Sequence, residues 1–347
     1  MNNRDIRIIN LGDEREVAVI RHFLGHFGLG FDGGVDYTVA AYGDGGIIGT
    51  GSFAGKVLRN FAVRADMQGE GLTAAIASQL MAEQGRRGIY HYFVYTRPGS
   101  AAMFAGLGFR EIARAEPYAV LLEAGLGSVD KYCGEVTNLA GRLPVGRRAA
   151  LVVNCNPFTL GHRAVIAQAA GENDAVIVFV VAEDRSLFPF ADRIRLVRAG
   201  VADLANVAVV PGGDYIISAA TFPAYFTRGE ETVAAQTRLD ATLFATRIAP
   251  ALGITCRYVG EEPYCQVTAA YNAALAAILP DHGVAVKVVP RLQSEGTVIS
   301  ASTVRDMIRR DDWAGIKKLV PDTTYAYLRS EEARPVLALV RQAGSRH

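Results

Sequence analysis

At 347 residues the chain is long for one domain, and about 150 residues per domain predicts two. Its 36 Lys and Arg residues balance 35 Asp and Glu, so there is no charge surplus to hold a nucleic acid or a membrane by counterion release, and an anionic partner must be gripped locally. Hydrophobic residues make up 50% and charged residues 20%, which excludes a disordered chain. In chain order, three β-like runs come first: Tyr37 to Tyr42, Gly46 to Phe53 and Val57 to Val63. Glycine-rich or short breaks between them predict an antiparallel meander. A loop from Arg64 to Gly71 leads into a helix from Leu72 to about Gln84, with Leu72, Ala75, Ile76 and Leu80 on one side. A strand from Ile89 to Tyr95, a helix from Ser100 to Leu107 and a single strand reaching about Leu122 complete a first domain, 1–124.

Between Ser128 and Arg142, Val129, Tyr132, Val136 and Leu139 recur at helical spacing, with Ser128 as N-cap, so the linker 125–147 reads as a helix followed by a break at Gly141, Pro144 and Gly146. The remainder, 148–347, alternates strand and helix. Strands are expected at Ala149 to Val153, Ala175 to Val181, Val207 to Val210, Cys256 to Val259 and Val284 to Val289, with helices from about Gly161 and from about Ala191 to Ala202. Near-continuous apolar strands separated by helices predict a parallel sheet wrapped on both faces. The longest apolar run, Ala175 to Ala182, is well short of the ~18 residues that cross a bilayer, and the opening MNNRDIRIIN does not read as a secretory signal. Four cysteines without a CxxC pair suit a reducing cytoplasm. Only five lysines are present, which makes arginine the expected phosphate ligand.

The most informative stretch is VVNCNPFTLGHRAVIAQA, Val152 to Ala169. It sets Asn156, Pro157, Phe158, Thr159, Gly161 and His162 at the carboxyl end of a strand and the start of a helix, where open α/β sheets bind ligands. Backbone N–H groups there favour an anion, a glycine at 161 permits close approach, and His162 can donate to a phosphate oxygen. The spacing TLGH resembles the (H/T)-x-G-H signature of the nucleotidyltransferase superfamily, and ISASTVR, Ile299 to Arg305, resembles its second signature. The resemblance implies Thr159, His162 and Arg305 as catalytic residues on ATP, with Ser300, Ser302 and Thr303 beside the phosphates. Arg193 reads as a phosphate contact or as a salt-bridged helix residue, and Gly260 and Glu262 of RYVGEEP as adenosine contacts or a plain acidic turn. Each signature alone also fits an ordinary capped helix.

The blocks EDRSLFPFADR, GGDYIISAATFPAYF and GEEPYCQVTAAYN extend the similarity to the citrate lyase ligase family. Membership implies ATP and acetate giving acetyl-adenylate and pyrophosphate, then transfer to the CoA-like, phosphopantetheine-type thiol of the acyl carrier subunit of citrate lyase. Mg²⁺ is expected on the phosphates, since no metal-ligand spacing occurs. Tyr215, Ser218 and Thr221 are expected to meet acetate or to be buried structural hydroxyls. The competing readings are a pantetheine-phosphate type adenylyltransferase that keeps AMP on its product, and a nonenzymatic nucleotide or CoA sensor. The first domain is similar to GNAT acetyltransferases: in FAVRADMQGEGLTAAIASQLM, Gln68 and Gly71 match the loop that binds the CoA pyrophosphate, while Thr73 departs from it. Where that family often carries a phenol as general acid, this chain has Phe104, which cannot donate a proton. The expected architecture is therefore a GNAT-like α+β domain followed by a Rossmann-like parallel-sheet domain.

Overall fold

The computed structural model describes residues 5–31, 34–182, 186–216, 230–261, 266–294 and 297–343. Strand β1 (Asp5–Ile8) is followed by helix α1 (Glu14–Gly25), whose N-cap Asp13 accepts from the Arg15 N–H at 2.8 Å. Neither was expected from the sequence. The meander β2 (Tyr37–Gly43), β3 (Gly46–Ala54) and β4 (Val57–Val63) pairs antiparallel, with Tyr37 opposite Phe53 and Phe53 opposite Leu58. Helix α2 (Leu72–Arg86) buries Leu72, Ile76 and Leu80 on this sheet. A Cβ at Gly51 of β3 would stand 2.6 Å from the Ile76 side chain, so the bare backbone there is what lets the helix approach.

Strand β5 (His91–Thr96), helix α3 (Ala101–Ala105) and strands β6 (Arg110–Ala115) and β7 (Ala119–Gly125) complete the first sheet, in the order β1-β2-β3-β4-β5-β7-β6. The single strand expected to reach Leu122 is instead a hairpin. Pro117 has no N–H for a ladder, and the Tyr118 N–H turns back to the Ala115 carbonyl at 2.8 Å. Strands β4 and β5 run parallel and pair only at Val57 and Leu58 with Phe93 and Val94, so beyond those residues they share no ladder.

Helix α4 (Val129–Leu139) begins at Ser128, whose Oγ accepts from the Lys131 N–H at 3.1 Å as the sequence anticipates. Next come β8 (Arg148–Val153), α5 (Leu160–Glu172), β9 (Ala175–Val180), α6 (Phe190–Gly200), β10 (Val207–Pro211), α7 (Glu230–Leu243), α8 (Ala249–Leu252), β11 (Ile254–Gly260), α9 (Gln266–Ile278), β12 (Ala285–Val289) and α10 (Ala301–Arg309). Three short helices, Trp313–Leu319, Asp322–Leu328 and Arg334–Gln342, end the described chain. The second sheet is parallel throughout, in the order β10-β9-β8-β11-β12. Strand order reverses between β8 and β11, and a doubly wound sheet opens a crevice at the carboxyl ends of such a pair.

The chain divides into two compact units, residues 1–131 with 219–243 and residues 132–218 with 244–347. The sequence assigned all of 148–347 to one domain. The difference lies in α7, which packs on β6 and β7 and sets the Arg238 guanidinium over the Tyr118 ring at 5.8 Å, a tertiary contact invisible to local pattern. Replacing Gly51 with alanine should overpack the α2 interface and lower stability by about 1–3 kcal/mol, read as a lower urea midpoint.

Candidate active site

The loop after β8 is shaped by side chains that never reach solvent. Cys155 takes a left-handed backbone (φ +55°) and the Asn156–Pro157 peptide is cis. Arg193 is fully buried beneath this turn: its Nη1 donates to the carbonyl of Asn154 (3.0 Å), to Asn154 Oδ1 (2.9 Å) and to the carbonyl of Val181 (2.7 Å), and its Nε to the carbonyl of Phe188 (2.9 Å). Asn156 Oδ1 accepts from the Phe188 N–H at 3.0 Å. Arg193 is therefore not a phosphate contact but the brace of the loop, its donors spent on carbonyl oxygens that would otherwise be buried unsatisfied. Pro157 and Phe158 are corrected likewise. Both are buried, and Phe158 lies against Gly200, where a Cβ would stand 2.3 Å from its ring.

Thr159 caps α5, and His162 completes a capping box. The Thr159 N–H donates to His162 Nδ1 at 3.1 Å, with Thr159 Oγ1 2.9 Å from the same nitrogen. Because Nδ1 accepts, the neutral ring carries its proton on Nε2, the nitrogen left to face the cleft as a donor. The ring is half-buried. Desolvation, with the Arg291 guanidinium adding to it, lowers its pKa to about 4. The glycine at 161 also serves packing: a Cβ there would meet the Ile299 carbonyl oxygen at 2.7 Å.

Ile299 opens the second signature. Ser300 caps α10, its Oγ accepting from the Thr303 N–H at 3.1 Å, while Thr303 Oγ1 donates to the Val298 carbonyl at 3.2 Å. Thr303 thus fixes the turn, and Ser300, Ser302 and Arg305 face the cleft. Arg305 is buried, its Nη1 donates to the Asn156 carbonyl at 2.6 Å, and desolvation lowers its pKa from the usual arginine value. A cleft of about 620 Å³ joins the two signatures, lined by Asn156, Thr159, Gly161 and His162 on one side and Ser300, Ser302 and Arg305 on the other. Gly260 and Glu261 at the end of β11 line it too. Both helix N-termini, α5 and α10, open on the same space, a field that favours polyanions. Glu262, Ser218 and Thr221 lie outside the described residues. Tyr215 is buried against the Tyr132 ring at 5.2 Å and does not line the cleft.

Sequence reasoning missed Arg291, which lines the cleft and donates from Nε to the Glu261 carbonyl at 2.8 Å. Its only signal was an arginine just past the carboxyl end of a predicted strand. The Cys155 thiol is buried, and desolvation pushes its pKa up, which suits packing and not nucleophilic attack. Gln68 and Gly71 belong to the first unit, where they line a cavity of about 540 Å³ with Thr73 and Met103. Gly71 (φ +76°) is the N-cap of α2. Phe104 is buried edge-on against Phe61 at 5.2 Å. Among the described residues no group of three or more His, Cys, Asp or Glu is placed to hold a metal ion, and no helix is long and apolar enough to cross a membrane.

A family model described as the citrate lyase ligase C-terminal domain matches residues 148–328. The citrate (pro-3S)-lyase ligase of Klebsiella pneumoniae is 36% identical over 93% of this chain and 95% of its own length. This chain belongs to the citrate lyase ligase family. The corresponding ligases of Haemophilus influenzae and Escherichia coli are 36% and 34% identical, over 91% and 93% of this chain and 96% and 93% of theirs. Like other members of the citrate lyase ligase family, the chain is an enzyme, a ligase. Its cleft lies wholly within the part matched by the family model. Solved structures similar to part of the chain include the ribosomal-protein-S18-alanine N-acetyltransferase of Escherichia coli, 17% identical over 36% of this chain and 96% of that one with a TM-score of 0.30. A GNAT-family acetyltransferase of Staphylococcus aureus is 12% identical over 35% and 100%, also with a TM-score of 0.30.

The folded His162 pKa lies below its unfolded value of about 6.5. Between those values the unfolded chain binds the extra proton, so stability is full above the unfolded pKa and falls as pH drops toward 4. Imidazole ¹⁵N shifts should show His162 neutral and protonated on Nε2 at pH 6, titrating only near pH 4; an ordinary titration midpoint contradicts this geometry.

Proposed function

We propose that the cleft of the second unit joins ATP and acetate into acetyl-adenylate, and that the acetyl group then passes to the phosphopantetheine-type thiol on the acyl carrier subunit of citrate lyase. In the first step a carboxylate oxygen bonds to the α-phosphorus as its bond to the β-phosphate bridging oxygen breaks, releasing pyrophosphate. In the second, the thiolate attacks the acetyl carbon, the carbonyl–phosphate bond breaks, AMP leaves and the thiol proton goes to solvent. The observation that carries the reading is the meeting of His162 Nε2, Arg305 and the N-termini of α5 and α10 around one cleft.

Each group has a share of the charge to manage. His162, neutral and proton-bearing at Nε2, donates to a nonbridging α-phosphate oxygen as negative charge builds there. A cationic imidazole is not required, so this hydrogen bond persists across the neutral range. Arg305, with Ser300 and Ser302 beside it in the lining, holds the leaving pyrophosphate, and Arg291 adds a second guanidinium to the cleft. Mg²⁺ would supply further charge neutralisation on the phosphates, with phosphate oxygens and water as its ligands.

The first unit is the proposed seat of the carrier's CoA-like arm. Its support is the cavity beside Gln68, Gly69 and Gly71, where positive φ at both glycines turns backbone N–H groups at the start of α2 toward a pyrophosphate. Phe104 leaves this unit without the phenol that would protonate a leaving thiolate, so it holds the arm and does not transfer acetyl groups itself.

Replacing His162 with alanine should slow acetate-dependent ATP–pyrophosphate exchange about 10²- to 10³-fold while far-UV circular dichroism stays unchanged. Full exchange in that variant overturns its role. Supplying the reduced carrier should release free AMP; AMP retained on the product would instead mark an adenylyltransferase. Gly71→Val should weaken CoA binding by about 10-fold or more, through strain at a left-handed position, and leave pyrophosphate exchange intact.

A further inference from the structure

Besides its arginines, the cleft presents a pair of uncharged side chains, Asn154 and Ser186, that both line it. Asn154 is the first residue past β8 and is exposed; Ser186 lies between β9 and α6 and is half-buried. Ser186 Oγ stands 3.0 Å from Asn154 Nδ2 and 3.1 Å from Asn154 Oδ1. The amide has one orientation open to it. Arg193 Nη1 approaches Oδ1 at 2.9 Å, and a guanidinium has donors only, so the atom that faces it is the oxygen. Nδ2 is thereby turned to Ser186 as a donor. One of its hydrogens goes to Ser186 Oγ, and a hydroxyl that accepts there has its own hydrogen to give. Neither side chain has another hydrogen-bond partner among the described residues. The buried arginine that braces the loop therefore also orients two donors at the cleft surface, the second N–H of Asn154 and the O–H of Ser186.

These donors stand beside the phosphate-binding groups. Asn154 is two residues before Asn156, whose carbonyl accepts from Arg305 at 2.6 Å, and it shares the loop that ends in Thr159, the cap of α5 that orients His162. In the sheet order β10-β9-β8-β11-β12, Ser186 follows β9, whereas Glu261 and Arg291 follow β11 and β12 on the other side of β8. Charge then divides the cleft. Arg305, Arg291 and two helix N-termini supply the field that a polyanion needs. An amide N–H and a hydroxyl suit a single carboxylate that must stay nucleophilic. They orient one of its oxygens without the neutralisation that a guanidinium imposes, and the other oxygen keeps its electron pair for the α-phosphorus.

We propose that Asn154 and Ser186 bind the carboxylate of the acid substrate and are the acid subsite of this cleft. The assignment rests on the reading of the cleft as an ATP-dependent acid-activating site. It puts this pair, and not Tyr215, at the acid.

The test is ATP–pyrophosphate exchange by the full-length chain with acetate and ATP varied separately, for wild type, Asn154→Asp and Ser186→Ala, with a thermal melt of each. Asn154→Asp keeps the shape and the oxygen that Arg193 holds, but sets a second carboxylate oxygen where the donor was. It should raise the KM for acetate on the order of 10²-fold, at least about tenfold more than it raises the KM for ATP. Ser186→Ala should raise the KM for acetate by about 5- to 10-fold and move that for ATP less than about twofold. An unmoved acetate KM in either variant overturns the assignment. So does a rise in the ATP KM that matches the acetate one: with an unchanged melting temperature it marks a phosphate contact, and with a lowered one a purely structural pair. If Asn154→Asp does not fold, Ser186→Ala decides by the same split between acetate and ATP. A wild-type chain with no acetate-dependent exchange overturns the ligase reading itself and the subsite with it, whereas normal wild-type exchange with an unmoved acetate KM in the variants removes only the Asn154–Ser186 pair.

Discussion

One hydrogen bond holds the candidate site in register: Arg305 on α10 donates to the carbonyl of Asn156, in the loop that opens α5. Nearly 150 residues separate the partners, as their numbers show, and the bond joins the two signature segments directly. Gly161 reinforces the joint, since only a residue without a Cβ lets the start of α5 settle on the Ile299 carbonyl. A charged donor on a buried carbonyl is a strong, directional tie, and it fixes the spacing between two helix N-termini whose partial charges add. The cleft's affinity for anions is thus a property of backbone placement as much as of the arginines.

Beneath that tie lies a second tier of support. Arg193 gathers the carbonyls of Asn154, Val181 and Phe188, which holds the loop after β8 in a conformation that includes a left-handed Cys155. The loop would otherwise present unsatisfied oxygens to the sheet. His162 is oriented by Thr159 in turn, so its tautomer follows from helix capping and needs no acidic partner. The Nε and Nη1 donors of buried Arg193 are thus committed to the loop beneath the cleft.

Much of this was legible in the sequence. The alternation of apolar strands and helices after residue 148 encodes a parallel sheet, and the spacing of Thr159, Gly161, His162 and the ISASTVR segment brings the right groups to its carboxyl edge. What escaped was long-range. Arg193 and Arg291 are single arginines at a helix start and past a strand end, and only tertiary packing separates a brace from a cleft residue. Phe158 looked like a ligand-facing position because the motif is contiguous, yet a loop entering a helix must turn some of its residues inward. The hairpin β6–β7 was hidden because its turn, Ala115 to Tyr118, carries neither a glycine nor an asparagine to mark it.

The discontinuity of the first unit has a consequence for how the chain is made. Residues 219–243 leave the ribosome only after three of the five strands of the second sheet, yet they include α7, a layer of the first unit. The earlier fold therefore stays incomplete during roughly a hundred residues of further translation. Cutting the gene between the two apparent halves would strand a helix on the wrong fragment, so neither piece expressed by itself corresponds to a natural folding module.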